Sequence, residues 1–202
     1  MANNYWRTPK RVLEPAYALQ RGDKGYVGAG RSFALDPFAA RRGLSSHVVA
    51  EHFLYEDRRR ANGGGAFAEP WKPLARLGLA WANPPYGRDI LGACMRLQQA
   101  QAADGVWLVN LVPASTDVAW FHECWESAAQ VCFYKGRIKF EDPTASREKK
   151  NSALFPNVSF HFPGDVNQEH RMERFDRIYS EHGIVVPCGE LASAAGLLKV
   201  AS

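Results

Sequence analysis

The apolar run Leu79-Ala80-Trp81-Ala82 stops against Asn83-Pro84-Pro85-Tyr86, and that junction constrains the fold more than any other stretch of the chain. Two consecutive prolines fix two φ angles, remove two backbone N–H donors and push the preceding Asn out of the helical region. The run therefore reads as a strand, followed by a turn whose carbonyls no helix can absorb. From Ile90 to Ala102, good helix formers carry Ile90, Leu91, Cys94 and Leu97 at helical spacing until Asp104-Gly105 stops them. Next comes Val106-Trp107-Leu108-Val109-Asn110-Leu111-Val112, a nearly continuous apolar run ended by Pro113. That is the pattern of a strand covered on both faces within a parallel sheet.

Before this core, Thr8-Pro9 reads as an N-cap and first-turn proline opening a helix with Val12, Leu13, Ala16 and Tyr17, which Pro15 is expected to shorten or kink. Ser32 to Leu35 forms a short strand running into Asp36-Pro37. Residues 41–60 fit either a strand at Val48-Val49 or a helix from Glu51 to Arg60. Asn62-Gly63-Gly64-Gly65 is a loop without the Gly-Lys-Ser/Thr ending of a phosphate-binding loop. Beyond the core, Thr116-Asp117 caps a helix through Trp120, Phe121, Cys124 and Trp125. Val131 to Tyr134 and Ile138 to Phe140 flank a Lys-Gly turn like a hairpin, and Val158 to Phe162 is a last apolar strand. The order predicts an α/β fold, a doubly wound, mostly parallel sheet with an antiparallel edge hairpin.

The 202 residues fit one domain, and 46% hydrophobic content supplies a core. No run approaches the ~18 apolar residues of a membrane helix, and the start of the chain lacks a signal-peptide layout, so a soluble intracellular protein without membrane contact is expected. Cys94, Cys124, Cys132 and Cys188 show no Cys-x-x-Cys spacing, and the six His show no ligand spacing, which predicts neither disulfide nor metal. The net charge of +4 is concentrated in Arg41-Arg42, in Arg58 to Arg60, and between Lys135 and Lys150. Such clusters suit a phosphate backbone.

The chemistry concentrates at strand ends. Asn83 offers a side-chain oxygen, Pro84 a carbonyl and Tyr86 an aromatic face, the groups needed to accept two N–H bonds from a planar amine and stack on its ring. Asp36 follows another predicted strand. Ligands in open parallel sheets bind beyond the carboxyl ends of strands, so the two sites converge on one edge.

With these residues the chain resembles the S-adenosylmethionine-dependent amino-methyltransferases, and more closely the small phage-type DNA adenine methyltransferases (Dam-like). The resemblance covers roughly residues 5–162. It rests on Tyr5-Trp6-Arg7-Thr8-Pro9, Leu35-Asp36-Pro37-Phe38-Ala39, Trp71, Trp81 to Gly87, Leu111 to Asp117 with Trp120-Phe121, and Gly136-Arg137-Ile138-Lys139-Phe140. It implies a class I Rossmann-like fold and adenine N6 methylation in the cytoplasm of a bacterial host, with S-adenosylmethionine as cofactor. The partner it implies is double-stranded DNA with the target adenine flipped out. By the same resemblance Trp6, Thr8, Pro9, Asp36, Phe38 and Asn83 contact the cofactor, and Asn83, Pro84, Pro85 and Tyr86 form the catalytic motif. The basic clusters and the period-two alternation of Arg137-Ile138-Lys139-Phe140 point either to Arg137, Lys139, Arg147, Lys149 and Lys150 meeting DNA while Ile138 and Phe140 pack inward, or to an exposed edge strand guarded by charge.

Trp6 and Trp81 remain open between core and cofactor roles, and Asp36 between cofactor ligand and strand-end cap. Where many relatives have glycine, this chain has Ala40 followed by Arg41-Arg42. Residues 1–165 are expected to form the catalytic domain and 166–202 an extension packed on it, of unassigned role. That leaves target recognition to the loops Arg41 to Gly65 and Glu141 to Pro156, and implies a short or relaxed target. Competing readings keep the chemistry on RNA, cytosine or a protein glutamine, or make the chain a binding module without catalysis.

Overall fold

The computed structural model describes residues 7–23, 32–39, 47–55, 65–76, 78–141, 150–152 and 155–190. The strands of the main sheet are β1 (Phe33–Ala39), β2 (Ala50–Tyr55), β3 (Ala80–Ala82), β4 (Leu108–Asn110), β5 (Val112–Pro113), β6 (Gln130–Tyr134), β9 (Asn157–Phe162) and β10 (Gly183–Pro187). They run in the order β10-β6-β9-β4-β3-β1-β2, with β5 also paired to β9. β2, β1, β3 and β4 are mutually parallel, while β9 pairs antiparallel with both β4 and β6, and β10 antiparallel with β6. The result is a mixed parallel and antiparallel α/β sheet of the class I methyltransferase type.

Side chains alternate across this sheet, as the period of two requires. Leu35, Ala80, Ala82, Leu108 and Phe160 face a core closed by α2 (Lys72–Ala75), α3 (Arg88–Ala103) and α4 (Ala119–Ser127). Phe33, Leu79, Trp81, Val109 and Cys132 face the opposite core, closed by α1 (Lys10–Arg21) and α5 (Gln168–Tyr179). Trp81 is fully buried and stacks on Phe33 at 5.7 Å, so it is a core aromatic. Trp6 lies outside the described residues.

Four local expectations change. Residues 131–140 do not form a hairpin: both edges of β6 are taken by β9 and β10, so the chain after Gly136 has no free edge to join. Instead β7 (Lys139–Glu141) pairs with β8 (Lys150–Ser152) in a separate two-stranded ribbon. Pro15 does not end α1, because the buried stripe of Val12, Leu13, Ala16 and Leu19 holds the helix through the one hydrogen bond that proline forfeits. Thr8 does not cap α1: Pro9 occupies the N-cap position and no side chain caps the helix, and at α4 Val118 takes the position expected for Thr116-Asp117. In the ambiguous stretch 41–60 the edge strand β2 begins after Val48-Val49 and takes up Glu51 to Tyr55 in place of a helix, with residues 41–46 and 56–60 outside the described set.

Candidate active site at the carboxyl edge of the sheet

From β1 the chain goes to β2 on one side and then returns across to β3 and β4 on the other. The gap between the carboxyl ends of β1 and β3 is thus the switch point at which open α/β sheets bind ligands. Leu35 is the last residue of β1 in register with β3, opposite Ala80. Past it, β1 continues along β2 with a register irregularity between Asp36 and Ala39, where Pro37 sits without a donor to lose. Asp36 therefore lies inside the strand rather than at its end, but at the point where the two strands part.

Asp36 is 6% exposed, and among the described residues its carboxyl accepts one hydrogen bond, from the Phe38 N–H at 3.2 Å. Burial pushes its pKa up to about 7, with the Phe38 bond opposing. Among the described residues, that single donor is too little to stabilise its charge. The carboxyl suits a ligand bearing hydroxyl or ammonium groups, which S-adenosylmethionine does. Phe38 is half-buried, its ring set edge-on to Trp71 at 5.7 Å, while Trp71 is fully buried and donates its indole N–H to the Ala66 carbonyl at 3.0 Å.

Across the gap, Asn83 follows β3 directly. Its Nδ2 donates to Thr8 Oγ1 at 3.0 Å, whereas its Oδ1 is buried and accepts nothing among the described residues. Leaving a buried acceptor unpaired costs about 1–3 kcal/mol, which a donor from a ligand recovers. Thr8 and Pro9 are buried beside it, and a backbone bridge holds their segment to the end of β7: Arg7 N–H donates to the Glu141 carbonyl at 2.8 Å and Glu141 N–H to the Arg7 carbonyl at 3.1 Å. The Glu141 side chain meets His47 Nε2 at 2.6 Å. The three segments around Arg7, His47 and Glu141 are distant in sequence, and no local pattern announces their meeting.

Pro84 is buried and Pro85 exposed, and Tyr86 leads through Gly87, the N-cap position, into α3. The Tyr86 hydroxyl donates to the Leu111 carbonyl at 2.9 Å, and its ring meets Phe140 and Phe155 edge-on at 6.3 and 5.7 Å. That carbonyl is available because the chain breaks between β4 and β5. Asn110 fills the break, accepting the Phe160 N–H at 2.9 Å and donating to Gln98 Oε1 at 3.0 Å. Burial holds the Tyr86 phenol well above its ordinary pKa, so it stays a neutral donor. Neither Leu111 nor Phe155 was marked by sequence as part of the tyrosine's setting.

In the ribbon, Ile138 and Phe140 are buried while Arg137 and Lys139 are exposed, so the predicted alternation is present in the fold. The Arg137 carbonyl accepts from the Arg11 guanidinium at 3.1 Å, and Lys10 and Arg11 are exposed on α1 next to the same corner. Arg147 and Lys149 lie outside the described residues, as do Arg41-Arg42 and Arg58 to Arg60, and Lys150 is described only as part of β8. All four cysteines are buried free thiols, each pushed up to about 12 by burial, which makes them inert. Among the described residues, no cluster of His, Cys, Asp and Glu is arranged to hold a metal, and no helix is long and apolar enough to cross a membrane.

Comparison with known proteins agrees with this geometry. No curated protein and no solved structure matches the chain. The family model described as DNA N-6-adenine-methyltransferase (Dam) matches residues 2–163, from ahead of Thr8 to the end of β9. The match singles out one amine among the candidate targets, the N6 of adenine in DNA. The chain belongs to the DNA N-6-adenine-methyltransferase (Dam) family, whose members methylate that nitrogen using S-adenosylmethionine.

Proposed function

We propose that the target adenine is turned out of double-stranded DNA and its N6 amine held between Asn83 Oδ1 and the Pro84 carbonyl, with Tyr86 against the ring. The observation that carries this is the buried, unpartnered Asn83 Oδ1 at the switch point. An adenine inside a duplex cannot bring N6 to such an atom, so extrusion is required.

The N6 lone pair is delocalised into the purine and is a poor nucleophile. Two acceptors on its two N–H bonds favour a pyramidal nitrogen and return the lone pair to it, an effect realised most fully in the transition state. When bound, S-adenosylmethionine supplies a methyl group on a positively charged sulfur, which is an excellent leaving group. Asp36 and Phe38 on one wall and Pro9 on the other are the residues this reading assigns to holding it, while the Thr8 hydroxyl is turned to Asn83. Asn83 and Pro84 orient the amine, and Tyr86, fixed by its bond to Leu111, gives the base a rigid surface. Arg137, Lys139, Arg147, Lys149 and Lys150 meet phosphates and so set affinity rather than target choice.

Asn83→Ala tests the reading, with tritiated cofactor and unmethylated, enzymatically amplified DNA. The methyl-transfer rate should fall about 10²–10³-fold, the scale of losing one hydrogen-bonding partner of the transition state. Cofactor affinity, measured by calorimetry, should stay within about threefold of wild type. A variant that keeps its rate, or loses cofactor affinity in proportion, would sink the assignment.

A further inference from the structure

We propose that Thr8 is a positioning residue for methyl transfer: its hydroxyl holds the Asn83 amide by Nδ2 and thereby keeps Oδ1 turned to the target amine. The inference rests on the reading of Asn83 as the amine acceptor. A primary amide has a donor end and an acceptor end of nearly equal size, and only the acceptor end serves an amine. With Oδ1 on the amine, the donor end needs a buried acceptor of its own, and Thr8 Oγ1, accepting from Nδ2 at 3.0 Å, is that group.

Thr8 is well placed for that task. It is 4% exposed, so the hydrogen bond does not compete with solvent. On its amino side the Arg7–Glu141 bridge fixes the backbone, and on its carboxyl side Pro9 both fixes its own φ and restricts Thr8 to extended conformations. A β-branched residue has few rotamers, so the hydroxyl is held in direction as well as position. The helix-capping task expected of this threonine is not performed, which leaves its oxygen committed to Asn83. In the absence of that acceptor, every productive complex would hold a buried, unpaired Nδ2–H, while the free enzyme could turn the amide away.

The test uses Thr8→Val, which keeps the shape and removes the acceptor, and Thr8→Ser, which keeps the acceptor and removes the methyl. With tritiated S-adenosylmethionine and enzymatically amplified DNA, kcat/KM for DNA should fall about 10–100-fold in Thr8→Val and stay within about threefold in Thr8→Ser, the scale set by one buried unpaired donor. Cofactor affinity should be unchanged in both. Adding Thr8→Val to Asn83→Ala should cause no further loss, because Thr8 acts through Asn83 alone. Full activity in Thr8→Val, a parallel loss of cofactor binding, or an additive loss in the double variant each overturns the proposal. If Asn83→Ala itself keeps its rate, the acceptor reading has failed; if Asn83→Ala loses its rate and Thr8→Val does not, only the role of Thr8 has.

Discussion

Both ends of the parallel strands bury polar side chains, yet the two ends treat them in opposite ways. At the amino end, Gln20 accepts the Leu79 N–H at 2.7 Å and donates to the Ser32 carbonyl. Arg171 spans Asp23 with two bonds of 3.3 and 3.0 Å, reaches the Pro163 carbonyl at 2.7 Å, and lies 4.0 Å from the centre of the Trp107 ring. Trp107 donates to His161 Nε2 at 3.1 Å, and His161 Nδ1 meets Gln130 at 3.2 Å. At the carboxyl end, among the described residues, Asn83 Oδ1 has no partner and Asp36 has a single local donor. A closed network stabilises the fold, whereas an open one stores binding capacity for a ligand. The same burial serves stability at one edge and chemistry at the other.

The comparison breaks most directly at its closed end. Asp23→Ala leaves the buried Arg171 guanidinium without its partner and should cost about 3–5 kcal/mol in denaturant unfolding. A loss below about 1 kcal/mol would show that the amino edge is not the more tightly closed of the two. The next effect is a difference in sign with pH. Burial, then the Arg171 charge, pushes His161 down to about 3, so its contribution is present above its ordinary 6.5 and is lost as pH falls toward 3. Asp36 is raised from 3.8 to about 7, so its contribution is full below 3.8 and is lost as pH rises to about 7. Asp36→Asn should therefore gain stability over wild type across that rise, in paired unfolding curves at pH 4 and pH 8, while binding the cofactor more weakly at pH 8. An Asp36→Asn curve that tracks wild type at both pH values would remove Asp36 from the open edge.

A smaller effect separates stability from rate at the same residue. Asn83→Ala should change unfolding free energy by no more than about 1 kcal/mol, because loss of the Nδ2 bond to Thr8 is offset by removal of a buried acceptor that is unpaired among the described residues. A loss as large as that of Asp23→Ala would mean that Asn83 belongs to the closed kind of network. Least in magnitude, Lys139→Ala should reduce the slope of log affinity for duplex DNA against log salt by about 1. An unchanged slope would take the β7–β8 ribbon off the DNA side of this edge.

The sequence carried the open edge further than the closed one. Asn83-Pro84-Pro85-Tyr86 and Asp36-Pro37 are short, local and chemically distinctive; the first falls at the end of a strand that a hydrophobic run predicts, and the second lies within β1, where that strand parts from β3. The alternation Arg137-Ile138-Lys139-Phe140 also survived, since burial at period two is a local property. Pairings across long separations were not legible. Asp23 meets Arg171 and Thr8 meets Asn83 across intervals with no shared pattern, and the apparent hairpin at Lys135-Gly136 was undone by β9 and β10, which arrive later and occupy both sides of β6. Thr8-Pro9 illustrates the limit well. The pair reads as a helix start, and the helix does start there, but tertiary contact diverts the threonine hydroxyl to a side chain 75 positions away.

The position of β9 also governs when this protein can fold during its synthesis. Residues 157–162 are inserted between β4 and β6, both of which are translated earlier. A nascent chain that has not reached Asn157 presents the outer side of β4, at Leu108 and Val109, as an apolar strand edge without a neighbour. Neither half of the sheet can be joined to the other until those six residues leave the ribosome, and pairings of such long range form slowly. Protection of that edge by a chaperone, or delay in its exposure, falls on the interval between the emergence of β4 and that of β9.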